Sequence, residues 1–331
     1  MNNQFEAVRL NIESRLKDYL EHAGMYYRIF SRAKDEESIK KKIGSKAASY
    51  RSKGKKMQDL IGVRIVFYFL DDVEIFHHKL KMLDGYDPQN ESNSTKEIME
   101  LSDILDGLDD QFSHIKDELS KLLPFHDKVF MPERLNIVMR MNESERSLVQ
   151  MGLASVTGYD TSLIDYTYEI QLRTVLSEGW HEVEHDLRYK TKEEAWWDYC
   201  QDESRMLNGL YATLETSERA LSRMIEEITY KNYQNRSWDA MIRFHFRRRT
   251  VGRKLSQQIV DLLDSDDRLA KDLLRVQREN LVVWLWELTS MVPISTDFLF
   301  YLVNRKTIQR RDIIQMEPAP IKAVLDRMNI N

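Results

Sequence analysis

The chain has 331 residues, of which 42% are hydrophobic and 31% charged, and its formal net charge is −5. With 11 glycines and 6 prolines it offers little material for an all-β protein with many tight turns, so we expect mostly helices. The negative net charge excludes a general polyanion binder, and any nucleotide site must therefore be a local basic patch.

Two features of the sequence bear on the compartment. The single cysteine, Cys200, excludes an internal disulfide framework and suits a reducing environment. The N-terminal segment lacks the apolar core of a signal peptide, and no apolar run is long enough to cross a bilayer. We therefore expect a cytoplasmic protein without membrane contact.

Hydrophobic periodicity predicts helices and strands in alternation along the chain. Helices are predicted over residues 5–21, 36–50 and 73–83, and almost throughout from residue 176 onward. Runs of β-branched and aromatic residues predict strands over residues 60–70, 135–141 and 165–172. The residues between the last two strands, 142–162, are predicted to be a loop or an irregular insertion.

The wide separation of the strands among many helices indicates the fold class. We expect an α+β protein in which a small mixed β-sheet is flanked by helices and followed by an α-helical C-terminal region. The expected domains are residues 1–236, with a helical insertion at about 84–130, and residues 237–331, which are basic at their start.

The basic segment over residues 32–42 is the first candidate site. On a helix that begins near Asp35, Ser38 and Lys42 share one face, while Arg32 and Lys34 come just before the helix. Several cations and a hydroxyl at this spacing can bind one polyphosphate. The alternative is a basic helix face that only contacts water.

Two further candidate patterns lie on the predicted strands. Asp59 opens the first strand and Arg64 follows beyond a glycine, so the pair can hold a metal ion and stack a base. The alternative for Asp59 is an ordinary acidic turn residue. At the end of the last strand, Glu169, Gln171 and Arg173 point to one face, which is costly to bury unless these groups pair or bind a polar ligand.

Residues 181–185 match the zinc-protease signature H-E-x-x-H. His181 and His185 share a helix face at this spacing, and Glu182 between them can act as a base. A third ligand is needed, however, and Arg188 stands where the metzincin version of the signature has a glycine. A zinc hydrolase is therefore a remote alternative.

The order of these patterns resembles that in the synthetase domain of the RelA/SpoT alarmone synthetases, particularly the small stand-alone ones. The matching segments are R-x-K-x-x-x-S-x-x-x-K at 32–42, D-[LI]-x-G-x-R at 59–64, E-[IV]-Q-[IL]-R-T at 169–174 and W-x-x-x-E-H-x-L-x-Y-K at 180–190. The resemblance implies a nucleotidyltransferase-like sheet and transfer of the β,γ-pyrophosphate of ATP to a ribose 3′-hydroxyl, by default that of GDP or GTP.

The resemblance also implies a role for each candidate residue. Arg32 and Arg64 would sandwich the adenine. The triphosphate would be held by Lys34, Ser38 and Lys42. Asp59 would bind Mg²⁺, and Glu169 would assist the metal or take the proton of the attacking hydroxyl. The supporting residues would be Gln171, Arg173, Glu184 and His185, the last two without any zinc.

The acceptor half of the pattern departs from this family. The G-Y-R-S-x-H segment, whose tyrosine stacks on guanine, is missing, and residues 132–139 stand at its expected place. Glu178 stands where the small synthetases have an asparagine that reads guanine. Three alternatives follow: another acceptor, such as an adenine nucleotide or the 3′ end of tRNA; guanine nucleotides bound by Tyr159 or Tyr166; or a nucleotide-binding sensor without catalysis.

The C-terminal region suggests partners of two kinds. Its arginine cluster at Arg247–Arg249 lies among aromatic residues and can contact RNA, or it can be the water-facing side of an amphipathic helix. Its apolar helices can either form a core or contact a second copy of the chain. A homo-oligomer is therefore one of the two alternatives for these helices.

Overall fold

The computed structural model describes residues 2–54, 56–88, 92–93, 135–154, 158–184 and 201–328. Most of the predicted insertion at 84–130 lies outside these residues. The chain divides into two compact units: Met1–Ser14 with Tyr27–Ala220, and Arg15–Tyr26 with Leu221–Asn331. The predicted boundary at residues 236 and 237 stays a prediction. No helix within the described ranges is long and apolar enough to cross a membrane.

The first unit contains the sheet and the helices around it. Its helices are α1 (Asn2–His22), α2 (Glu36–Lys53), α3 (Leu70–Lys81), α4 (Glu143–Ala154), α5 (Val175–Glu184) and the first part of α6 (Gln201–Gln234). Its strands are β1 (Tyr27–Ala33), β2 (Ile61–Phe67), β3 (Ser92–Asn93), β4 (Leu135–Arg140) and β5 (Thr167–Thr174). Helices α1 and α6 each contribute residues to both units.

The five strands form one mixed sheet in the order β1-β2-β5-β4-β3. Strands β2 and β5 are parallel, and the other neighbours are antiparallel. The predicted α+β class with a small mixed sheet, flanking helices and a helical C-terminal region is therefore confirmed, as are the predicted strands that became β2, β4 and β5. The sequence did not indicate β1 or the two-residue β3.

The prediction of a loop over residues 142–162 is wrong, because α4 occupies residues 143–154. Asn142 Oδ1 accepts a hydrogen bond from the backbone N–H of Glu145 at 2.9 Å, and Glu145 Oε2 accepts one from the N–H of Asn142 at 3.0 Å. This reciprocal capping box starts the helix. Val149 and Leu153, four residues apart, then bury one face of it.

The two faces of the sheet differ in character because successive side chains of a strand alternate between them. One face is apolar and is buried under helices, with Phe67 of β2 packed against Phe76 of α3 at a ring-centroid distance of 5.6 Å. The opposite face carries the charged and amide side chains of β1, β2 and β5. The hydrophobic effect thus buries the first face, and the polar side chains collect on the second.

The second unit is helical. Its elements after α6 are α7 (Trp238–Phe246), α8 (Gln257–Ser265), α9 (Asp267–Leu274), α10 (Arg278–Trp286), α11 (Thr296–Val303), a π-helical turn (Asn304–Ile308), α12 (Arg311–Met316) and α13 (Ala319–Met328). Every residue of α11 except Asp297 is buried, including the aromatic Phe298, Phe300 and Tyr301. The apolar C-terminal residues therefore build the core of this unit.

Candidate functional site

The polar face of the sheet brings the strand residues of the candidate site into adjacent rows. Arg32 of β1 is opposite Gly62 of β2, which is opposite Glu169 of β5; in the neighbouring row, Arg64 is opposite Gln171. A Cβ atom at Gly62 would meet no atom within 4 Å, so the space above this glycine is open. The rows thus border an open area with an arginine on one side and a carboxylate on the other.

Arg32 and Arg64 are diagonal neighbours on adjacent strands. Side chains in this relation have Cβ atoms about 7–8 Å apart. A base stacked between two guanidinium groups requires about 7 Å, since each contact takes about 3.5 Å. Arg32 is exposed and Arg64 is half-buried, so the backbone spacing is compatible with a base between them.

Asp59 brings two lysines of the basic segment together. Lys34 Nζ donates to Asp59 Oδ2 at 2.6 Å, and Lys42 Nζ donates to the same oxygen. The backbone N–H of Lys34 donates to the carbonyl oxygen of Leu60 at 2.9 Å, which joins the end of β1 to the start of β2. The predicted phosphate-binding lysines and the predicted metal ligand therefore lie in direct contact.

The electrostatics of Asp59 follow from this contact. Burial alone would raise the pKa of its carboxyl group, but hydrogen bonds and charges of Lys34 and Lys42 outweigh burial and lower that pKa below its usual value. Its second oxygen, Oδ1, is buried and has no hydrogen-bond partner. A buried carboxylate oxygen without a partner is unfavourable unless a cation or a donor is supplied.

These observations fit a bound Mg²⁺. An ionised carboxylate oxygen is the type of donor that this ion prefers, and Mg²⁺ is often held by one or two carboxylates together with substrate phosphates. Asp59 Oδ1 is such a donor, and Glu169 is a second carboxylate, on the neighbouring strand β5. Within the described residues, no group of three or more His, Cys, Asp or Glu side chains is arranged to hold a metal ion.

Ser38 takes part in the cap of α2. Asp35 is the N-cap residue, and its carboxylate accepts hydrogen bonds from the backbone N–H of Ser38 at 2.7 Å and from Ser38 Oγ at 2.8 Å. A ligand that used the Ser38 hydroxyl as a donor would have to take it from this cap.

The side chains at the end of β5 form a continuous hydrogen-bonded chain. Gln171 Nε2 donates to Glu169 Oε1 at 2.9 Å. Gln171 Oε1 accepts from Arg64 Nε at 3.2 Å and from Arg173 Nη2 at 3.3 Å. Pairing of these groups makes their partial burial acceptable.

Helix α5 adds two carboxylates beside Arg64. The resemblance placed Glu178 at the acceptor base and the zinc signature contains Glu182, but neither pattern predicted a contact with Arg64. Glu178 accepts from Arg64 Nη1 at 2.6 Å and, through its other oxygen, from Arg173 Nη1 at 3.2 Å. Glu182 accepts from the same Arg64 Nη1. The spacing of four residues between the two glutamates was the available signal, because it places them on one helix face.

Two predicted residues cannot be located. The side chain of Glu184 and all of His185 lie outside the described residues. The zinc signature requires His185, so the zinc-hydrolase alternative is not decided by geometry. Its central residue, Glu182, contacts Arg64.

The arginine cluster of the second unit is divided between different environments. Arg248 is 1% exposed and donates to the carbonyl oxygen of Phe246 at 2.8 Å. Arg249 forms an ion pair with Glu21 at 2.9 Å. The predicted RNA contact by residues 247–249 therefore cannot use Arg248, and for the other two it stays a prediction.

Comparison with known proteins places this site in a family. Residues 31–194 match the region found in RelA/SpoT proteins, and this range contains every candidate site residue of the first unit. This segment is a RelA/SpoT-type synthetase domain. A comparison with curated protein sequences finds no match.

Several solved structures are similar to the chain that carries this RelA/SpoT domain. Small alarmone synthetase 1 from Bacillus subtilis is 16% identical, with 66% of this chain and 92% of that chain covered and a TM-score of 0.38. A GTP pyrophosphokinase family protein from Streptococcus pneumoniae is 17% identical, with 66% of this chain and 89% of that chain covered and a TM-score of 0.37. Small alarmone synthetase 2 from Bacillus subtilis is 16% identical, with 65% of this chain and 92% of that chain covered and a TM-score of 0.36.

Proposed function

We propose that the chain is an ATP-dependent pyrophosphotransferase that moves the β,γ-pyrophosphate of ATP to a 3′-hydroxyl, with GDP or GTP as the default acceptor. The observation that carries this proposal is the contact of Lys34 and Lys42 with Asp59 beside the open polar face of the sheet. The RelA/SpoT domain over residues 31–194 and the names of the similar structures support the same reaction class.

The proposed reaction is a single displacement at phosphorus. The 3′-oxygen of the acceptor attacks the β-phosphorus of ATP, and the bond between that phosphorus and the oxygen bridging to the α-phosphate breaks. AMP leaves with the bridging oxygen, and the acceptor gains a 3′-diphosphate. The proton of the attacking hydroxyl passes to a base, for which we propose the carboxylate of Glu169.

The side chains supply positions and charges for this transfer. Lys34 and Lys42 would release Asp59 Oδ2 and bind the triphosphate, whose negative charge they neutralise. Arg32 and Arg64 would hold the adenine between their guanidinium planes. Because phosphoryl transfer depends mainly on alignment and charge stabilisation, these residues satisfy most of its requirements.

Mg²⁺ would be held by Asp59, through the buried Oδ1 that lacks a partner, and by Glu169. When bound, the ion would neutralise part of the phosphate charge. In its absence Lys34 and Lys42 neutralise the Asp59 carboxylate, so the two lysines also keep this group ionised before the nucleotide arrives.

The acceptor is the least specified part of the proposal. Glu178 stands where the small RelA/SpoT synthetases have an asparagine that reads guanine, and both of its carboxylate oxygens accept hydrogen bonds from arginines. Because these oxygens are already bonded, we infer an acceptor site that differs from the guanine site of that family. An adenine nucleotide or a tRNA 3′ end is therefore the second candidate acceptor.

The test is transfer of label from γ-labelled ATP in the presence of Mg²⁺. GDP, GTP, ATP alone and bulk tRNA are offered separately, and AMP and labelled products are resolved. We expect one acceptor to gain label with an equal yield of AMP. Asp59→Asn and Glu169→Gln should each lower the rate by at least about 100-fold, the usual effect of losing a positioned acid–base or charge-stabilising group.

The control variant is Glu226→Gln, an exposed glutamate on α6 in the part of that helix that belongs to the second unit. It should turn over at the wild-type rate. Label transfer that survives Asp59→Asn and Glu169→Gln would show that the assignment of the site is wrong. ATP binding without AMP formation for every acceptor would instead support the nucleotide-binding sensor.

A further inference from the structure

The position of the Arg64 guanidinium is determined by acceptors on two elements. Gln171 of β5 accepts from Nε, and Glu178 and Glu182 of α5 both accept from Nη1. The two glutamates lie four residues apart on one face of α5, so both can reach the same nitrogen. A single guanidinium nitrogen is therefore held by two carboxylates of one helix.

These contacts fix an orientation as well as a charge. The N–H donors of a guanidinium lie in its plane, and a carboxylate that accepts from them approaches along that plane. Bonds of this type leave the two flat faces of Arg64 available for stacking. Burial alone would lower the pKa of Arg64, but the hydrogen bonds and charges of Glu178 and Glu182 outweigh burial and raise it.

The two carboxylates differ in their surroundings. Glu178 has a side chain that is 16% exposed, and its other oxygen accepts from Arg173, which is 5% exposed. The side chain of Glu182 is 60% exposed and forms an ion pair with Arg64. Replacement of Glu178 would leave Arg173 with less compensation in the interior, whereas Glu182 can be changed at little cost to folding.

We propose that Glu178 and Glu182 form a clamp that fixes the plane of Arg64 so that this guanidinium stacks on the base of the bound nucleotide. This inference rests on the proposed function. The clamp makes α5 a determinant of affinity for the base, distinct from the lysines that bind the phosphates. Glu178 and Glu182 are positioning residues, since they act through Arg64.

The test compares ATP with inorganic tripolyphosphate, which lacks the base. Dissociation constants of both are measured by calorimetry with Mg²⁺ for the wild-type protein and for Glu182→Gln, Glu182→Asp and Glu226→Gln. We expect Glu182→Gln to lower the affinity for ATP about twofold to fivefold, the range of a partly exposed ion pair. The affinity for tripolyphosphate should not change. Glu182→Asp should recover part of the loss, and Glu226→Gln should bind like the wild type.

A second comparison assigns the effect to Arg64. In an Arg64→Ala background the clamp has no guanidinium to hold, so adding Glu182→Gln should not change the affinity for ATP further. If Glu182→Gln only impaired folding, it would weaken the binding of both ligands. It would also weaken binding further in the Arg64→Ala variant.

The outcomes separate the clamp from the proposed function. If the wild type binds neither ligand, the proposed function itself is overturned. If it binds both, and Glu182→Gln leaves the preference for ATP over tripolyphosphate unaltered, the nucleotide site stands and the clamp is refuted. An equal affinity of the wild type for both ligands refutes stacking by Arg64 and the clamp with it.

Discussion

The open area at Gly62 is the residue-scale feature with the most direct consequence. Gly62 lies in β2 in the same row as Arg32 of β1 and Glu169 of β5, and Arg64 is in the neighbouring row. A glycine within a strand lacks packing and often marks the close approach of a ligand. At this position the missing side chain leaves room directly over the residues proposed to bind the nucleotide.

A larger residue at position 62 should therefore remove binding without loss of stability. Gly62→Val introduces a residue suited to strands into space that contains no atom within 4 Å of the new Cβ, so the unfolding free energy should not fall. Affinity for ATP should fall by at least about tenfold, which corresponds to about 1.4 kcal/mol. Calorimetry with ATP and thermal unfolding measure the two quantities.

Gly62→Ala is the matched variant, since its single methyl group fills less of the same space and should cost less affinity. Unchanged ATP binding by Gly62→Val would mean that the nucleotide does not lie over β2.

At the scale of elements, capping explains why α4 forms where periodicity indicated a loop. Asn142 and Glu145 satisfy each other's backbone N–H groups, and the buried carboxylate of Glu145 is fixed by this exchange. The signal, an N-cap residue followed three positions later by a glutamate, is present in the sequence. The following Gly152 then allows the close approach of Phe5 of α1, with Cε1 3.0 Å from the position of an added Cβ.

Removal of the cap should destabilise α4 locally. Asn142→Ala is expected to lower the unfolding free energy by about 1 kcal/mol, the usual effect of losing an asparagine N-cap. Residue-resolved hydrogen exchange across α4, together with urea denaturation, measures this change. Gln150→Ala, an exposed substitution in the middle of the same helix, should change stability by less than about 0.5 kcal/mol. Equal effects of the two variants would argue against the capping box.

At the scale of the whole molecule, the second unit has its own core, and that unit contains a histidine that makes its stability depend on pH. His245 of the second unit is half-buried, and its Nε2 lies 2.9 Å from the carbonyl oxygen of Val276. Burial lowers the pKa of its imidazole below 6.5; the Val276 carbonyl opposes this shift and the charge of Arg247 adds to it. The folded unit therefore resists protonation of this residue more than the unfolded chain does.

This difference gives the second unit an acid-sensitive stability. Because the folded pKa is below the unfolded value of 6.5, the contribution of His245 is present above pH 6.5 and is lost as the pH falls toward the folded pKa. Hydrogen exchange in α7 and α10 is corrected for its intrinsic rate, which itself falls as the pH is lowered. The corrected protection of both helices should decrease from pH 7.5 to pH 5.5. The decrease should be smaller in His245→Gln, which cannot gain the proton, and an equal decrease would refute this role.

Much of the first unit could be predicted from its sequence because the signals are local. The helical period of α2, the β-branched run of β2 and the alternation of Glu169, Gln171 and Arg173 each depend on residues close in sequence. Strand β1 was missed because Arg28, Ser31 and Arg32 interrupt its apolar residues, and none of its residues is fully buried. The site residues were indicated by their order and by their resemblance to RelA/SpoT segments, and this resemblance covers about residues 28–190.

The sequence by itself thus determined the fold class, the RelA/SpoT assignment and the residue types of the proposed nucleotide site. Only the tertiary structure decided that Lys34 and Lys42 share one oxygen of Asp59, and that Glu178, 114 residues away from Arg64, holds its guanidinium. It also decided that α1 from Arg15 onward, with the residues that follow it up to Tyr26, belongs to the second unit. The reason is physical: periodicity reports which face of an element is buried, whereas pairing between distant side chains depends on how the elements pack.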